Sequence, residues 1–361
     1  MREQLFILAN NSDGLYGFRK ELIARLAQER DVFASVPNDG FYDELRALGC
    51  TVIETPIDRR GINPVTDLKL LLRYIKILRQ VKPDLVITYT IKPNVYGGMA
   101  CRLLGVPYAA NITGLGTAFQ KEGALRKLVT VLYRTALKRA KVVFFENAAN
   151  RDTLVGESIV AAEKCRVLMG AGVNLERYAP AEYPVESKTH FLFIGRVMRE
   201  KGVEELFSAM EQLHREGCDC VLDVVGDFEE NYEAIIRAHE AAGWLRYHGY
   251  QTDVRPFIAQ SHCFVLPSYH EGMANTNLEC AAMARPLITS DIPGCREAVK
   301  DGVSGLLCAV QDADSLYTQM KRFLALTAEE RAEMGRAGRE RMEAVFDKEK
   351  VVDATVEGLG V

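Results

Sequence analysis

Short apolar runs alternate along the chain with longer stretches whose apolar residues recur at helical spacing. Runs rich in Val, Ile, Leu and Phe without polar alternation are typical of parallel strands covered by helices on both faces. In the first half we predict strands at Leu5–Ala9, Asp31–Val36, Thr51–Glu54, Leu85–Tyr89, Tyr108–Asn111, Val142–Glu146 and Cys165–Leu168. The helices between them are predicted to begin near Gly17, Tyr42, Pro64, Val95, Gly123 and Ala148.

The pattern lapses between Asn174 and Lys188, where a polar, proline-bearing stretch predicts a linker. A second series follows, with predicted strands at His190–Ile194, Val221–Val225, Leu245–His248, Cys263–Leu266, Pro286–Thr289 and Gly305–Leu307. Its helices are predicted near residues 202–216, 229–242, 252–260, 275–284, 295–300 and 312–326, and residues 328–345 are also helical in pattern. The fold class is therefore α/β, with two Rossmann-like, doubly wound domains at residues 1–181 and 189–345 and a tail at 346–361. Ligands of such sheets bind at the carboxyl ends of the strands, so two facing sheets would form a cleft.

Composition fits an ordinary globular protein of 361 residues, 48% apolar and 26% charged. The first apolar run stops at Asn10 and is too short for a signal peptide, and no stretch of about 18 apolar residues predicts a membrane-spanning helix. The nine cysteines are odd in number and mostly isolated, which favours a reducing compartment such as the cytoplasm.

Charge is distributed unevenly between the two halves. Residues 1–181 carry 26 Lys and Arg against 18 Asp and Glu, whereas the remainder carries 19 against 31. A basic first half indicates an anionic partner, for which nucleic acid, a phosphorylated substrate and an anionic bilayer are all candidates.

The first candidate motif is a strand that ends in Gly195, followed by a basic loop and a helix. Arg196 and Lys201 lie in this loop and at the helix entrance, where cations and free backbone N–H groups can converge on a diphosphate. A solvated basic loop explains the same residues equally well.

The second motif runs from Leu266 to Ala282, again as strand, glycine-containing loop and helix. Glu271 lies in the loop and Glu279 one turn inside a helix that starts near Asn275, so one carboxylate can face a sugar and the other a ribose. The backbone N–H groups of Met273, Ala274 and Asn275 can hold sugar hydroxyls or phosphate. A surface acid and a helix-stabilising glutamate are the alternative.

Together, Gly-Arg-x4-Lys-Gly and Pro-Ser-x2-Glu-Gly-x6-Glu resemble the retaining GT-B glycosyltransferases of family 4. The likeness covers almost the full chain and extends to residues 170–174, 249–251 and 291–297. It implies two Rossmann-like domains facing across a cleft, with the tail at 346–361 able to pack back on the first domain.

The resemblance also implies roles for single residues. Arg196 and Lys201 would bind the donor diphosphate, Glu271 and Gly272 the donor sugar, Glu279 the ribose, and the Gly249-Tyr250 region the base, which is expected to be uracil. No metal and no cofactor beyond the UDP-sugar substrate is implied, because two cationic side chains neutralise the leaving group.

This sequence departs from the family pattern at two places. Arg285 stands where a glycine usually precedes the proline of a strand, and Met273-Ala274-Asn275 replaces the frequent Phe-Pro-Asn. Both positions are expected to lie near the donor sugar, so the resemblance leaves the identity of that sugar open.

Candidate acceptor residues follow strands of the first half. Gly14, Tyr16, Gly17 and Arg19 follow the first strand, where glycines permit close approach of a sugar or phosphate and Arg19 can pair with an anion. Ordinary turn glycines are the alternative. Further candidates after later strands are Lys92, Thr113 and Gly114.

Residues 121–141 hold seven cations and one acid among apolar residues at helical spacing. Such a helix can lie on an anionic bilayer, although a plain amphipathic surface helix is a comparable interpretation. Within the family, the likeness is to enzymes that extend polyprenyl-diphosphate-linked saccharides of capsule, O-antigen or protein glycans at the inner face of the cytoplasmic membrane.

These observations predict a retaining transferase that moves a hexose or N-acetylhexosamine from a UDP-sugar to a lipid-linked saccharide, on the membrane periphery and without nucleic acid. Three alternatives stay open. A nucleotide-sugar epimerase shares the two-domain architecture, the acceptor of a transferase can be soluble, and a basic lipid- or nucleic-acid-binding module would explain the charge but not the two glutamates.

Overall fold

The computed structural model describes residues 2–59, 61, 63–116, 119 and 123–361. The chain forms two compact units, the first made of Met1–Ala171 with Glu349–Val361 and the second of Gly172–Lys348. Each unit contains one parallel sheet, which confirms the predicted α/β class with two Rossmann-like domains.

The sheet of the first unit has seven strands in the order β3-β2-β1-β4-β5-β6-β7. These are β1 (Gln4–Leu8), β2 (Asp31–Val36), β3 (Cys50–Glu54), β4 (Leu85–Tyr89), β5 (Tyr108–Ile112), β6 (Val142–Phe145) and β7 (Cys165–Val167). Its helices are α1 (Ser12–Ala27), α2 (Tyr42–Ala47), α3 (Pro64–Val81), α4 (Gly98–Leu104, preceded by a π-helical turn at Pro93–Gly97), α5 (Ala124–Leu137), α6 (Ala148–Gly156) and the terminal α13 (Lys348–Leu359).

Strand β1 shows how the sequence builds two helical layers on this sheet. Its successive side chains point to opposite faces, so Phe6 and Leu8 enter the core beneath α3, α4 and α5. Leu5 and Ile7 enter the other core, together with residues of α1, α2 and α13.

The sheet of the second unit has six strands in the order β10-β9-β8-β11-β12-β13. These are β8 (Thr189–Ile194), β9 (Cys220–Val225), β10 (Leu245–Tyr247), β11 (Cys263–Leu266), β12 (Leu287–Ser290) and β13 (Gly305–Cys308). Its helices are α7 (Val203–Arg215), α8 (Glu233–Ala241), α9 (Arg255–Gln260), α10 (Asn275–Ala282), α11 (Ala313–Leu324) and α12 (Ala328–Arg341).

Helix α1 begins five residues earlier than the predicted start near Gly17. Asn11 adopts an extended conformation, and the backbone N–H of Ser12 donates to Asp39 Oδ1 at 2.8 Å. This long-range contact fixes the first turn, and sequence spacing gives no sign of it.

The boundaries of the two units differ from the predicted domain boundaries. Residues 172–181 belong with the second unit, where the N–H of Val173 donates to Phe346 O and the N–H of Lys348 donates to Val173 O. The terminal segment Glu349–Val361 belongs with the first unit, where Arg25 pairs with Glu349 and Asp353 at 3.0 Å.

Arg285 is fully buried and anchors the segment that was expected to be a linker. Its guanidinium donates to Ala181 O at 3.1 Å and Glu182 O at 2.6 Å. It also donates to Ile258 O and Ala259 O in the last turn of α9. These contacts account for Arg285 as a structural anchor, in place of the donor-sugar neighbour that the sequence suggested.

We expect Arg285→Met to lower the free energy of unfolding by roughly 3 kcal/mol, because several buried carbonyls lose their donor. Urea unfolding followed by far-UV circular dichroism measures the change. Arg215→Met removes an arginine whose side chain is 70% exposed, and it should stay within about 0.5 kcal/mol of wild type. An equally small effect of both variants would contradict the anchoring role.

Candidate functional site

The candidate site of the second unit starts where β8 and β9 end in glycines. Gly195 follows β8 and its N–H donates to Val225 O at 2.9 Å. Gly226 follows β9 with φ of +143°, and a Cβ there would lie 2.0 Å from Gly195 O. Only glycine permits this approach, which leaves the strand ends bare of side chains.

A second close approach joins the two sequence motifs. Gly202 has φ of +71°, and a Cβ there would lie 2.1 Å from Pro267 O, at the end of β11. The N–H of Tyr269 also donates to Glu200 O at 3.0 Å. Motifs that are some 70 residues apart in the sequence therefore share one edge of the sheet.

Lys201 and Glu271 form the ion pair at this junction. Lys201 Nζ lies 2.5 Å from Glu271 Oε1, and Ser268 Oγ donates to the same oxygen at 2.8 Å. The two charged side chains are only 20% and 14% exposed. The pair fixes both groups, while the lysine ammonium keeps further protons to donate.

Arg196 lies nearer the solvent. Its side chain is 51% exposed, and Nη1 lies 3.0 Å from Glu229 Oε2. The N–H of Glu229 donates to Val197 O at 3.1 Å, so the loop after β9 holds the loop after β8. The exposed guanidinium can exchange this carboxylate for an anionic ligand at small cost.

Gly294 packs closely against the backbone of the loop from Gly272 to Ala274. With φ of +88°, a Cβ on Gly294 would lie 2.7 Å from Glu271 O and 2.8 Å from Gly272 O. The N–H of Ala274 donates to Gly294 O at 2.8 Å, and the Met273 and Ala274 side chains are buried. The loop therefore presents backbone rather than side chains.

Helix α10 begins directly after this loop, at Asn275. Its N-cap residue, Ala274, makes no side-chain capping bond, and the buried Asn275 Oδ1 accepts no hydrogen bond from the part of the chain that the structure describes. Free N–H groups and an unsatisfied buried amide suit a polar ligand at this helix start.

Glu279 lies in the second turn of α10 and accepts a hydrogen bond from the Tyr178 hydroxyl. Burial raises the pKa of Glu279 to about 7, although Tyr178 and the charges of Lys348 and Arg177 act in the opposite direction. A carboxylate with this pKa changes charge near neutral pH.

Tyr250, the predicted contact of the base, is exposed at the carboxyl end of β10. Gly249 beside it has φ of +64°, and its carbonyl accepts from Gly226 N–H at 2.8 Å. The structure thus brings the predicted donor residues to one edge of the second sheet.

The predicted acceptor residues lie in the first unit, and those that follow β1 lie in a helix rather than in an open loop. Gly14, Tyr16, Gly17 and Arg19 all lie within α1. Arg19 is buried, and its Nη2 lies 2.6 Å from Glu146 Oε1, so its charge is already neutralised. We therefore interpret Arg19 as a support of this region and not as the free cation that the sequence suggested.

Lys92 follows β4 and is also paired, with Nζ 2.7 Å from Asp67 Oδ1. Thr113 and Gly114 form the turn after β5, where Gly114 has φ of +156°. Lys121 and Glu122, the first residues of the predicted segment 121–141, lie outside the described residues.

Comparison with known proteins identifies the two units. Residues 7–147 match the family described as Glycosyl transferase 4-like, and residues 177–341 match Glycosyl transferases group 1. The match to both families extends over most of the chain. The chain is a GT-B glycosyltransferase.

Two relatives are similar to this glycosyltransferase over most of their length. The N,N'-diacetylbacillosaminyl-diphospho-undecaprenol alpha-1,3-N-acetylgalactosaminyltransferase of Campylobacter jejuni is 28% identical, over 88% of this chain and 88% of that protein. The UDP-Gal:alpha-D-GlcNAc-diphosphoundecaprenol alpha-1,3-galactosyltransferase of Escherichia coli is 29% identical, over 73% of this chain and 72% of that protein.

Solved structures share the fold. HepE of Anabaena in complex with UDP and glucose has a TM-score of 0.81 and 15% identity, covering 99% of both chains. The sucrose-phosphate synthase of Thermosynechococcus elongatus has a TM-score of 0.82 and 19% identity, covering 99% of this chain and 98% of that one.

Sequence analysis assigned no role to several residues that support the candidate site. Gly226 and Gly294 permit close backbone contacts at the strand edge. The predicted side chains of Arg196, Glu271 and Glu279 are hydrogen-bonded by Glu229, Ser268 and Tyr178, respectively. A glycine directly after the apolar run 221–225 was a usable signal for Gly226. Ser268 lies three residues before Glu271 in the quoted motif, whereas Glu229 and Tyr178 depend on contacts that no spacing in the sequence reveals.

We expect Glu279→Gln to remove one pH dependence of stability. Between pH 4.5 and about 7 folded Glu279 keeps its proton and the unfolded group has lost it, so wild type loses free energy of unfolding as pH rises through this window. Urea titrations across this range should show wild type falling relative to the variant. A constant difference between the two proteins would contradict the raised pKa.

Proposed function

We propose that the enzyme transfers a hexose or N-acetylhexosamine, with retention of configuration, from a UDP-sugar to a lipid-linked saccharide in bacterial surface-glycan or glycoprotein assembly. The observation that carries the donor half is the Lys201–Glu271 pair beside Arg196, at adjoining strand ends. The lipid-linked acceptor is supported by the diphospho-undecaprenol saccharides in the names of the two relatives.

The diphosphate is the group on which the reaction depends, because negative charge develops there as the sugar leaves. Lys201 and Arg196 would stabilise this charge, and Lys201 lies next to the start of α7. The N-cap residues of α7 and α10, Gly202 and Ala274, make no side-chain capping bond, so the N–H groups of the first turns can add to the stabilisation. We propose that these groups suffice without a metal ion.

We assign the remaining donor contacts to α10 and to the loop that precedes it. Glu271 is held by Lys201 and Ser268, which suits a carboxylate that orients sugar hydroxyls and not one that attacks the anomeric carbon. Gly272, Met273, Ala274 and Asn275 offer backbone N–H groups to the sugar or phosphate. Retention would then proceed by attack of the acceptor hydroxyl on the face that the diphosphate leaves.

Glu279 is assigned to the ribose and Tyr250 to the uracil base. An ionised Glu279 accepts hydrogen bonds from both ribose hydroxyls, so donor affinity would rise as pH increases through the pKa of about 7. The exposed Tyr250 ring can cover one face of a planar base.

The acceptor half is assigned to the first unit, at Gly14, Tyr16, Gly17, Lys92, Thr113 and Gly114, with Arg19 in support. Helix α5 exposes Leu125, Leu128 and Val131 and contains no acidic residue. An apolar and cationic face suits peripheral contact with an anionic bilayer, and we propose the inner face of the cytoplasmic membrane as its location. Among the described helices, none is long and apolar enough to cross a membrane.

We expect Arg196→Ala and Lys201→Ala each to lower kcat by roughly 100- to 1,000-fold, the usual loss when a group that stabilises developing charge is removed. UDP release with a lipid-linked acceptor measures the rate. The control Arg237→Ala removes a cation with a 74% exposed side chain and should retain the wild-type rate. Full activity in both site variants would overturn the assignment.

The substrate class is tested by screening nucleotide sugars with a diphosphate-linked saccharide, first with and then without EDTA. We expect transfer from a UDP-sugar, and NMR of the product should show that the α-linkage of the donor is retained. The rate should not fall in EDTA. Incubating donor without acceptor tests the epimerase alternative, because epimerised free donor would support that activity. Transfer to soluble saccharides alone would refute the lipid-linked acceptor.

A further inference from the structure

The second unit contains a polar cluster that the assigned donor contacts do not use. Asp223, in β9, is buried and lies between two histidines. Its Oδ2 lies 2.8 Å from His190 Nδ1, and its Oδ1 lies 2.7 Å from His248 Nε2. Because β9 lies between β8 and β10 in the sheet, the three side chains form one row across it.

The charge of Asp223 determines where both histidines carry their protons. Burial alone would raise the pKa of Asp223, but the hydrogen bonds with His190 and His248 outweigh burial, and the pKa is lowered. An ionised carboxylate only accepts hydrogen bonds, so His190 carries a proton on Nδ1 and His248 carries one on Nε2. The cluster therefore has one defined arrangement of donors and acceptors.

His190 is held on its other side by His262 and Glu186. The rings of His190 and His262 stack with their centroids 6.0 Å apart, and the backbone N–H of His190 donates to His262 Nδ1 at 3.1 Å. His190 Nε2 lies 3.7 Å from Glu186 Oε2. Burial lowers the pKa of His262, which favours the neutral ring that can accept at Nδ1. This end of the cluster is thus anchored near the starts of β8 and β11.

The other end of the cluster reaches the loop to which the base is assigned. His248 is followed by Gly249, which has φ of +64°, and by Tyr250. The N–H of His248 donates to a β9 carbonyl at 2.9 Å, and its own carbonyl accepts from Gln251 Nε2 at 2.7 Å. The His248 ring also lies against Phe257 of α9, with centroids 4.9 Å apart. The His248 side chain therefore ties the loop to β9 and α9.

The same loop is joined to the strand ends beside the diphosphate cations. The N–H of Gly226 donates to Gly249 O at 2.8 Å. Gly226 in turn lies against the carbonyl of Gly195, which directly precedes Arg196. A shift of His248 would therefore change where the base meets the loop, while the cations that are assigned to the diphosphate stay in place.

We propose that Asp223 positions the Gly249-Tyr250 loop for the nucleotide base by holding His248, while His190 holds Asp223. The inference rests on the proposed function and names what sets the base selectivity of that donor site. All three are positioning residues that act through the loop. A buried carboxylate loses hydration that an apolar side chain would not lose, so a purely structural row at this place would be more stable if it were apolar.

Calorimetric titrations with UDP, GDP and inorganic pyrophosphate test the proposal. We expect His248→Leu to lower the affinity for UDP roughly 3- to 10-fold, because a loop that is no longer held must be ordered on binding. The preference for UDP over GDP should fall with it, whereas pyrophosphate should bind as before because Arg196 and Lys201 are intact. Unchanged UDP affinity, or equal losses for UDP and pyrophosphate, would overturn the proposal.

Two matched variants separate positioning from a general loss of stability. His248→Gln places an amide N–H near the position of Nε2, so it should bind UDP more tightly than His248→Leu. His214→Leu makes the same substitution at an exposed histidine of α7 and should bind all three ligands like wild type. Equal weakening in His248→Gln and His248→Leu would contradict the hydrogen bond to Asp223 as the cause.

Asp223→Asn tests the centre of the cluster with little change of shape. Its amide accepts at one atom only, so one histidine must change its tautomer, which nitrogen-15 spectra of the histidine rings detect. We expect weaker UDP binding and unchanged pyrophosphate binding in this variant. If His248→Leu does not fold, Asp223→Asn decides the question, since wild-type UDP affinity together with changed ring spectra would refute the positioning role.

Transfer kinetics separate this proposal from the proposed function. The base lies away from the bond that breaks, so His248→Leu should raise the donor KM roughly 3- to 10-fold and leave kcat within about twofold. If wild type uses a UDP-sugar and His248→Leu keeps the wild-type KM, the positioning role fails and the function stands. If wild type prefers another nucleoside diphosphate and His248→Leu loses that preference, the UDP donor fails and the positioning role stands.

Discussion

The approach of Gly202 to Pro267 is the constraint on which the candidate site depends. A side chain at Gly202 would collide with the carbonyl that ends β11, so only glycine lets α7 begin close to that strand. This closeness brings Lys201 to Glu271 and joins two motifs from different βα units. Because both charged side chains are mostly withdrawn from solvent, removing either would leave the other poorly compensated.

A similar rule governs the cations of the first unit. Arg19 pairs with Glu146, and Lys92 pairs with Asp67, at positions where the sequence predicted contacts with an anionic acceptor. Buried charges need a partner, so a cation held inside the unit is neutralised by the protein itself.

The family likeness and the structure contribute different parts of the functional interpretation. The family matches identify a glycosyltransferase. The names of two relatives contain lipid-linked saccharides. The geometry shows which groups stand together at the donor edge and which helices of the first unit expose apolar and cationic faces. The donor and acceptor sites that we propose therefore lie in different units, each with its own sheet edge.

The sequence by itself determined the strands that the described residues form and their grouping into two sheets, because buried parallel strands need continuous apolar runs that local pattern reveals. It also pointed to the donor motifs, since glycines, cations and carboxylates after strands are local features. Only the tertiary structure decided the start of α1 at Ser12, the anchoring role of Arg285 and the pairing of Arg19 with Glu146, 127 residues away. Each depends on a partner distant in the sequence, and no periodicity encodes which distant groups a folded chain brings within hydrogen-bonding distance.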